Sequence, residues 1–308
     1  MNLEAVVFPG MAPSNFDAVG AFMTRSPYAR RRLAEASEVL GYDLLEEFRA
    51  STADYSEAAQ LAFVVNSLAL ADWAADHAGL RPSVCVGPSF GGMAATAYSR
   101  SLDYPDLIRL AALSARRELA YFTADPRRIV THFFFRTPPE RFERLMAEST
   151  EEGDWAELSS HLDSDFYAVC LHEEAVERFR KRVRRAGGIP LYTMWPATHC
   201  GALAELRRIL ADEVYAGFRF ADPVLPVVSD QDGRIIQSGD QVHAMLLDGY
   251  VRPVKWPESV RTLREMGVRR VRVPGPSNLF DRLSHGRFEE VTAIGPETAL
   301  RTEGSGAA

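Results

Sequence analysis

Residues 81–92, RPSVCVGPSFGG, place a serine between two glycines at the end of an apolar run. The spacing Gly87-x-Ser89-x-Gly91 is that of a nucleophile set on a sharp strand-to-helix turn. A serine hydroxyl attacks poorly until a base takes its proton and donors stabilise the oxyanion that forms. Such a turn supplies part of this. Its glycines permit the bend, the serine side chain stands exposed, and the N–H of Phe90 points toward the developing charge. A helix opening at Phe90 adds the positive end of its dipole. The same residues also suit a glycine-rich turn with an ordinary capping serine, and the motif alone leaves the two readings even.

The base is sought among seven histidines: His77, His132, His161, His172, His199, His243 and His285. Most lie in helix or strand patterns, where a core or surface imidazole is the default. His199 differs, because WPATHCGAL places it in a loop just before a helix. No acidic residue stands near Ser89 in the sequence to complete a triad. Cys85, Cys170 and Cys200 sit in apolar contexts without zinc-like spacing, so no metal site is expected. Three cysteines cannot all pair, which suits a reduced, cytoplasmic setting.

The chain that must position these residues has 308 residues, 46% hydrophobic and 25% charged, enough for a sizeable core. A net charge of −7 argues against nucleic-acid binding through bulk positive charge. Of 35 basic residues only Lys181 and Lys255 are lysines, so anion contacts fall to guanidinium groups. No uninterrupted apolar run reaches about 18 residues, and the N-terminus lacks a signal-peptide pattern, so neither a membrane span nor membrane binding is expected. A monomer is expected.

LEAVVF (3–8) reads as a strand ending at Pro9-Gly10. A long buried helix follows from Ser56, then the strand SVCVG, the Ser89 turn, a small-residue helix, and a helix from Asp103 to Phe122. This order predicts an α/β fold with parallel central strands. The middle alternates differently: RIVTHFFF, DFYAVCL and IPLYTM as strands, with helices at PERFERLMAEST and HEEAVERFRKRVRRAGG between them. That alternation predicts a ferredoxin-like insert at 128–195, with 1–127 and 196–308 forming the large unit. VLPVVS (224–229) and VRRVRV (268–273) resume the main sheet, RFRKRVRR (178–185) reads as a solvated helix face, and the tail TEGSGAA is expected to be disordered.

Several of these segments together resemble the malonyl-CoA:acyl carrier protein transacylase family, which includes the acyltransferase domains of polyketide synthases. VVFPGMAPSNF is similar to the family's N-terminal F-P-G-Q-G-S-Q, EAAQLAFVVNSLAL to its Q-P-A-L-F helix, and VGPSFGGMAA to its G-H-S-L-G-E. ATHCGAL resembles the segment carrying the family's histidine; YVRPVKWPESVRTL and VPGPSNLFDRL resemble P-V-R-W and G-P-G-x-x-L. The resemblance covers most of the chain. It implies an α/β-hydrolase-like large subdomain with a ferredoxin-like small one, and a ping-pong mechanism with Ser89 as nucleophile and His199 as base. The implied oxyanion hole is the backbone N–H of Met11 and of Phe90. A backbone carbonyl, Gly249 or Asp248, would orient the histidine, so no acidic partner is needed. It places Ser114, Pro88, Gly92, Gln60 and Thr198 in the substrate pocket.

Departures from the pattern bear on the substrate. Ungapped alignment through LDYPDLIRLAALSARREL sets Ser114 where malonyl-specific members hold the free carboxylate with an arginine. Arg116 and Arg117 follow, rotated about 200° and 300° around a helix, and a shifted register could bring one of them in. Pro88 replaces the family's histidine, Gly92 its glutamate, and PATH matches neither the malonyl nor the methylmalonyl selectivity motif. The set implies an acyl group other than simple malonate, and a resemblance to stand-alone trans-acting enzymes of macrolactam antibiotic biosynthesis that carry aminoacyl or dipeptidyl groups. Malonyl or alkylmalonyl transfer from coenzyme A and editing hydrolysis remain alternatives. No tightly bound cofactor is implied; the phosphopantetheine arm of a carrier protein, or coenzyme A, enters as substrate. The partners are donor and acceptor acyl carrier proteins, whose acidic helix would meet Arg141, Arg144, Arg282 and Arg287, with Met194 as an apolar contact.

Overall fold

The computed structural model describes residues 3–12 and 15–305, the side chains of 303–305 excepted. Two sheets organise it. The first has six strands in the order β11-β10-β1-β2-β7-β8. Its strands are β1 (Leu3–Val7), β2 (Val84–Val86), β7 (Val227–Val228), β8 (Ile235–Ile236), β10 (Val268–Pro274) and β11 (Glu290–Ile294). All neighbours pair parallel except β7 with β8. The β8 and β11 edges went unread in the sequence.

Strand alternation divides the core. Val6 and Phe8 face a helical layer that includes Glu57–His77, Gly91–Tyr98 and Tyr104–Ala124, while Ala5 and Val7 face the opposite way with Val84, Val86 and Trp256. Helix Glu57–His77 has the length and hydropathy of a membrane span, yet 89% of its apolar window is buried inside this protein. Gln60, Asn66 and Ser67 interrupt its apolar run, which is why a count of consecutive apolar residues passed it over.

The second sheet is ordered β6-β3-β5-β4-β9, with β3 (Ile129–Phe135), β4 (Ala156–Asp163), β5 (Phe166–His172), β6 (Ile189–Met194) and β9 (Val254–Lys255). Helices Pro139–Glu151 and Val176–Arg185 fall between its strands, completing a β-α-β-β-α-β unit of ferredoxin-like order. The sequence reading lacked β4, whose AELSSHLD carries little apolar alternation. Strand β9 comes from the large unit and pairs with β4, tying the two sheets together. Val130, Phe134, Val169 and Leu171 bury one face under the two helices, whereas Phe133 and Ala168 pack toward the first sheet.

Two expectations are corrected. Helix Pro296–Ser305 takes in the first residues of the tail, because Ala299 and Leu300 pack into the core and carry the helix onward; residues 306–308 lie outside the described residues. Within RFRKRVRR the side chain of Arg182 is only 1% exposed and pairs with Glu152 and, at 2.7 Å, with Asp154. Arg178 and Arg182 together hold the Asp154 carboxyl down at about 2. That face is anchored, not merely solvated. Arg182→Ala removes a buried charge partner and should lower the unfolding free energy by about 3 kcal/mol, read by urea denaturation. Arg180→Ala, whose pair with Glu177 is surface-exposed, should cost less than about 1 kcal/mol.

Candidate active site

Three parallel strands end at one place. Past β1 the chain runs through Pro9-Gly10-Met11, past β2 through Ser89, and past β7 through Ser229 and Asp230. The crevice beyond the carboxyl ends of parallel strands is where such sheets build sites. Ser89 holds φ at 55°, a left-handed conformation that costs a non-glycine residue about 1–3 kcal/mol. The turn is tight enough that a Cβ on Gly87 would lie 2.1 Å from the Gly91 carbonyl oxygen, and one on Gly91 would lie 2.1 Å from that of Phe8. Only glycine fits at either position. Gly10 packs on the turn, so that a Cβ there would touch the Pro88 oxygen at 3.2 Å and Ser89 Cβ at 3.4 Å. This brings the Met11 backbone beside the serine. Neither Met11 nor Phe90 donates its N–H to a protein acceptor among the described residues, leaving both donors for an oxyanion.

His199 enters from the loop after β6, also at positive φ (61°). Its Nε2 lies 2.7 Å from Ser89 Oγ and its Nδ1 lies 2.5 Å from the Gly249 carbonyl oxygen. That acceptor makes Nδ1 the donor and leaves Nε2 free to accept the serine proton. Burial lowers the imidazole pKa below its ordinary 6.5, with the Gly249 bond opposing, so the ring is a neutral base at pH 7. Of the two backbone carbonyls considered for this role, Gly249 holds the ring; the Asp248 oxygen accepts from Val251 and Arg252 instead. Arg207 braces Asp248 at 2.7 Å.

Asp230 was not read from the sequence. Its Oδ2 accepts the Ser89 backbone N–H at 2.6 Å, pinning the strained turn from beneath rather than touching the histidine. The only sequence signal was an acid directly after a strand, in VVSDQDG.

The other expected pocket residues are placed as follows. Ser114 is 2% exposed and its hydroxyl has no partner among the described residues. Arg116 forms a two-pronged pair with Glu57 at 2.6 and 2.7 Å, and Arg117 pairs with Glu213. Gln60 donates to the Tyr55 oxygen at 3.2 Å, and Thr198 N–H donates to Thr131 Oγ1 at 3.1 Å. Pro88 is buried in the turn, and Gly92 faces Leu246 of helix Gly239–Asp248. Glu118 and Tyr250 join this neighbourhood unannounced: the Tyr250 hydroxyl donates to Glu118 Oε1 at 2.6 Å.

The residues expected at a carrier surface are exposed except Met194, which is half-buried under the Tyr55 hydroxyl. Arg141 donates to the Ala186 oxygen at 3.0 Å and Arg287 pairs with Asp163, while Arg144 and Arg282 point to solvent.

Residues 133–194 match the family model described as the VinK acyltransferase small domain. Over 312 residues the chain is 25% identical to the malonyl CoA-acyl carrier protein transacylase of Escherichia coli O157:H7, covering 95% of each. A malonyl-transacylase solved in complex with its type II polyketide synthase acyl carrier protein superposes with a TM-score of 0.85 at 25% identity, over 98% of this chain and 100% of that one. The malonyl CoA-acyl carrier protein transacylase of Coxiella burnetii shares the fold, with a TM-score of 0.85 at 20% identity, over 98% and 96% of the two chains.

Asp230 yields a pH-dependent prediction. Burial raises its carboxyl from 3.8 to about 6, so the folded chain holds the proton longer than the unfolded one. Its contribution is therefore fully present below about pH 4 and lost as pH rises through about 6. Asp230→Asn keeps an acceptor for Ser89 and removes the charge. The variant should gain up to about 3 kcal/mol at pH 8 and nothing at pH 3.5, read as melting temperatures at both pH values.

Proposed function

The chain belongs to the malonyl-CoA:acyl carrier protein transacylase and polyketide synthase acyltransferase family, and from that premise we propose that it carries an aminoacyl or dipeptidyl group between acyl carrier proteins in polyketide biosynthesis. It is an acyltransferase. The carrier's phosphopantetheine thioester, or its coenzyme A equivalent, enters as substrate.

His199 Nε2 takes the Ser89 Oγ proton as the oxygen attacks the thioester carbonyl. The oxyanion is met by the N–H groups of Met11 and Phe90 and by the positive end of helix Gly91–Tyr98. The C–S bond breaks, His199 returns its proton to the leaving thiolate, and an acyl ester remains on Ser89. A second pantetheine thiol then gives its proton to His199 and takes the acyl group by the reverse steps. Gly249 stabilises the imidazolium at each stage through Nδ1. The observation that carries this reading is the continuous contact from Ser89 Oγ through His199 to the Gly249 oxygen.

The charge layout supports a group other than malonate. Arg116 and Arg117 are both committed to carboxylates elsewhere, so neither is free to receive a malonyl carboxylate at Ser114. Leaving that charge unpaired in the pocket costs several kcal/mol. Donor and acceptor carriers dock through Arg141, Arg144, Arg282 and Arg287, with Met194 as an apolar contact.

Intact-mass measurement of the enzyme after brief exposure to single donors tests the reading. A dipeptidyl or aminoacyl carrier should acylate the chain at least about 100-fold faster than malonyl-CoA, and Ser89→Ala should form no adduct with either. Faster malonylation would overturn the assignment. Release of free acid without an acceptor would make the chain a hydrolase.

A further inference from the structure

Glu118 lies on helix Tyr104–Ala124, four residues and therefore one turn past Ser114 on the same face. Its carboxylate meets only neutral donors: the Tyr250 hydroxyl at 2.6 Å and the side chain of Gln60. No cationic side chain pairs with it among the described residues, although two arginines precede it in the sequence and turn away to Glu57 and Glu213. Burial pushes its carboxyl up to about 7, as befits a carboxylate short of positive charge. Two more buried hydroxyls belong to the same cluster, Ser114 Oγ at 2% exposure and the Tyr215 hydroxyl at 0%; they neighbour each other and Tyr250, and neither makes a well-formed hydrogen bond among the described residues.

Both partners of Glu118 lead to the reacting groups. Tyr250 follows Gly249, whose carbonyl holds His199. Gln60 lies one turn before Phe63, whose ring packs edge-on against Phe90, the residue after the nucleophile. Glu118 is thus tied, through Tyr250 and Gln60, to the segments that hold the base and flank the nucleophile.

We propose that Glu118 is a specificity residue that receives the protonated amine of an amine-bearing acyl group. An ammonium brings three donors: Glu118 takes one in a charge-assisted bond, and the Ser114 and Tyr215 oxygens are placed to accept the others. Gln60 and Tyr250 hold the carboxylate in place. The amine sits on the part of the acyl group remote from the thioester carbonyl. A malonyl carboxylate at the same position would meet like charge. This inference rests on the acyl-transfer reading above and supplies the reason for its substrate class.

The test uses isosteric thioester pairs on pantetheine: 3-aminopropanoyl against butanoyl, and glycyl-3-aminopropanoyl against its N-propanoyl counterpart lacking the terminal amine. Acylation of Ser89 is followed by intact mass. Wild type should favour the amine in each pair by about tenfold or more, and Glu118→Gln should bring the ratio toward one. Glu118→Lys should reverse it, favouring succinyl-pantetheine over the amine. No amine preference in wild type overturns the inference, and this arm needs no variant. An unchanged ratio in a Glu118→Gln protein that still acylates also overturns it. If wild type accepts neither amine-bearing group but accepts malonyl-CoA, the aminoacyl or dipeptidyl assignment itself fails; if it accepts both members of each pair equally, only the role of Glu118 falls.

Discussion

A serine held in left-handed backbone geometry, with φ at 55°, is the constraint on which the site is built. Such a residue persists only where its surroundings over-determine it. Here they do so from three directions. Gly87 and Gly91 allow backbone approaches that no side chain could survive, the Gly10 loop closes over the turn, and the Asp230 carboxylate takes the Ser89 N–H from below. The strain turns the hydroxyl outward to His199 and leaves the Phe90 N–H without a partner among the described residues. Relaxing the turn would lose the nucleophile, one oxyanion donor and the register of the helix together.

The second sheet matters because it delivers the base. His199 follows β6 and is fixed by contacts on both sides of the chain. Thr198 is held by Thr131 and Ser159 of that sheet, and the ring is held by Gly249 of the large unit. The pairing of β4 with β9 keeps these two sources in register. A histidine oriented by a backbone carbonyl needs no charged neighbour, so the surroundings of the dyad are free to be specialised by other groups. Around that site arginines and carboxylates pair repeatedly, which makes Glu118, with no cationic partner among the described residues, stand out chemically.

Much of this was legible in the chain, for identifiable reasons. The elbow and the histidine loop are local, with glycine spacing and sequence context carrying the information at Ser89 and His199. The parallel strands β1 and β2 are dense apolar runs and show plainly, and β10 shows through the recurring valines of VRRVRVP. Strand β4 does not, because AELSSHLD is half polar and gains its burial from neighbours. Asp230 and Glu118 were illegible for a related reason. A lone acid after a strand, or on a charged helix, reads as surface until tertiary packing removes its water. Arg182 misled in the opposite direction, since a run of basic residues gives no sign of which one turns inward to Glu152 and Asp154.

The central claim is that the acyl group pauses on Ser89 between two thiols. The direct measurement is a single-turnover chase with a carrier protein bearing an isotope-labelled acyl group and stoichiometric enzyme, without acceptor; one portion is taken for peptide mapping and acceptor carrier is added to the other. The account predicts one labelled ester, on the peptide containing Ser89, formed before the acceptor is present and passed to it afterward. Label that moves only when both carriers are present, or that settles on any other residue, would contradict it.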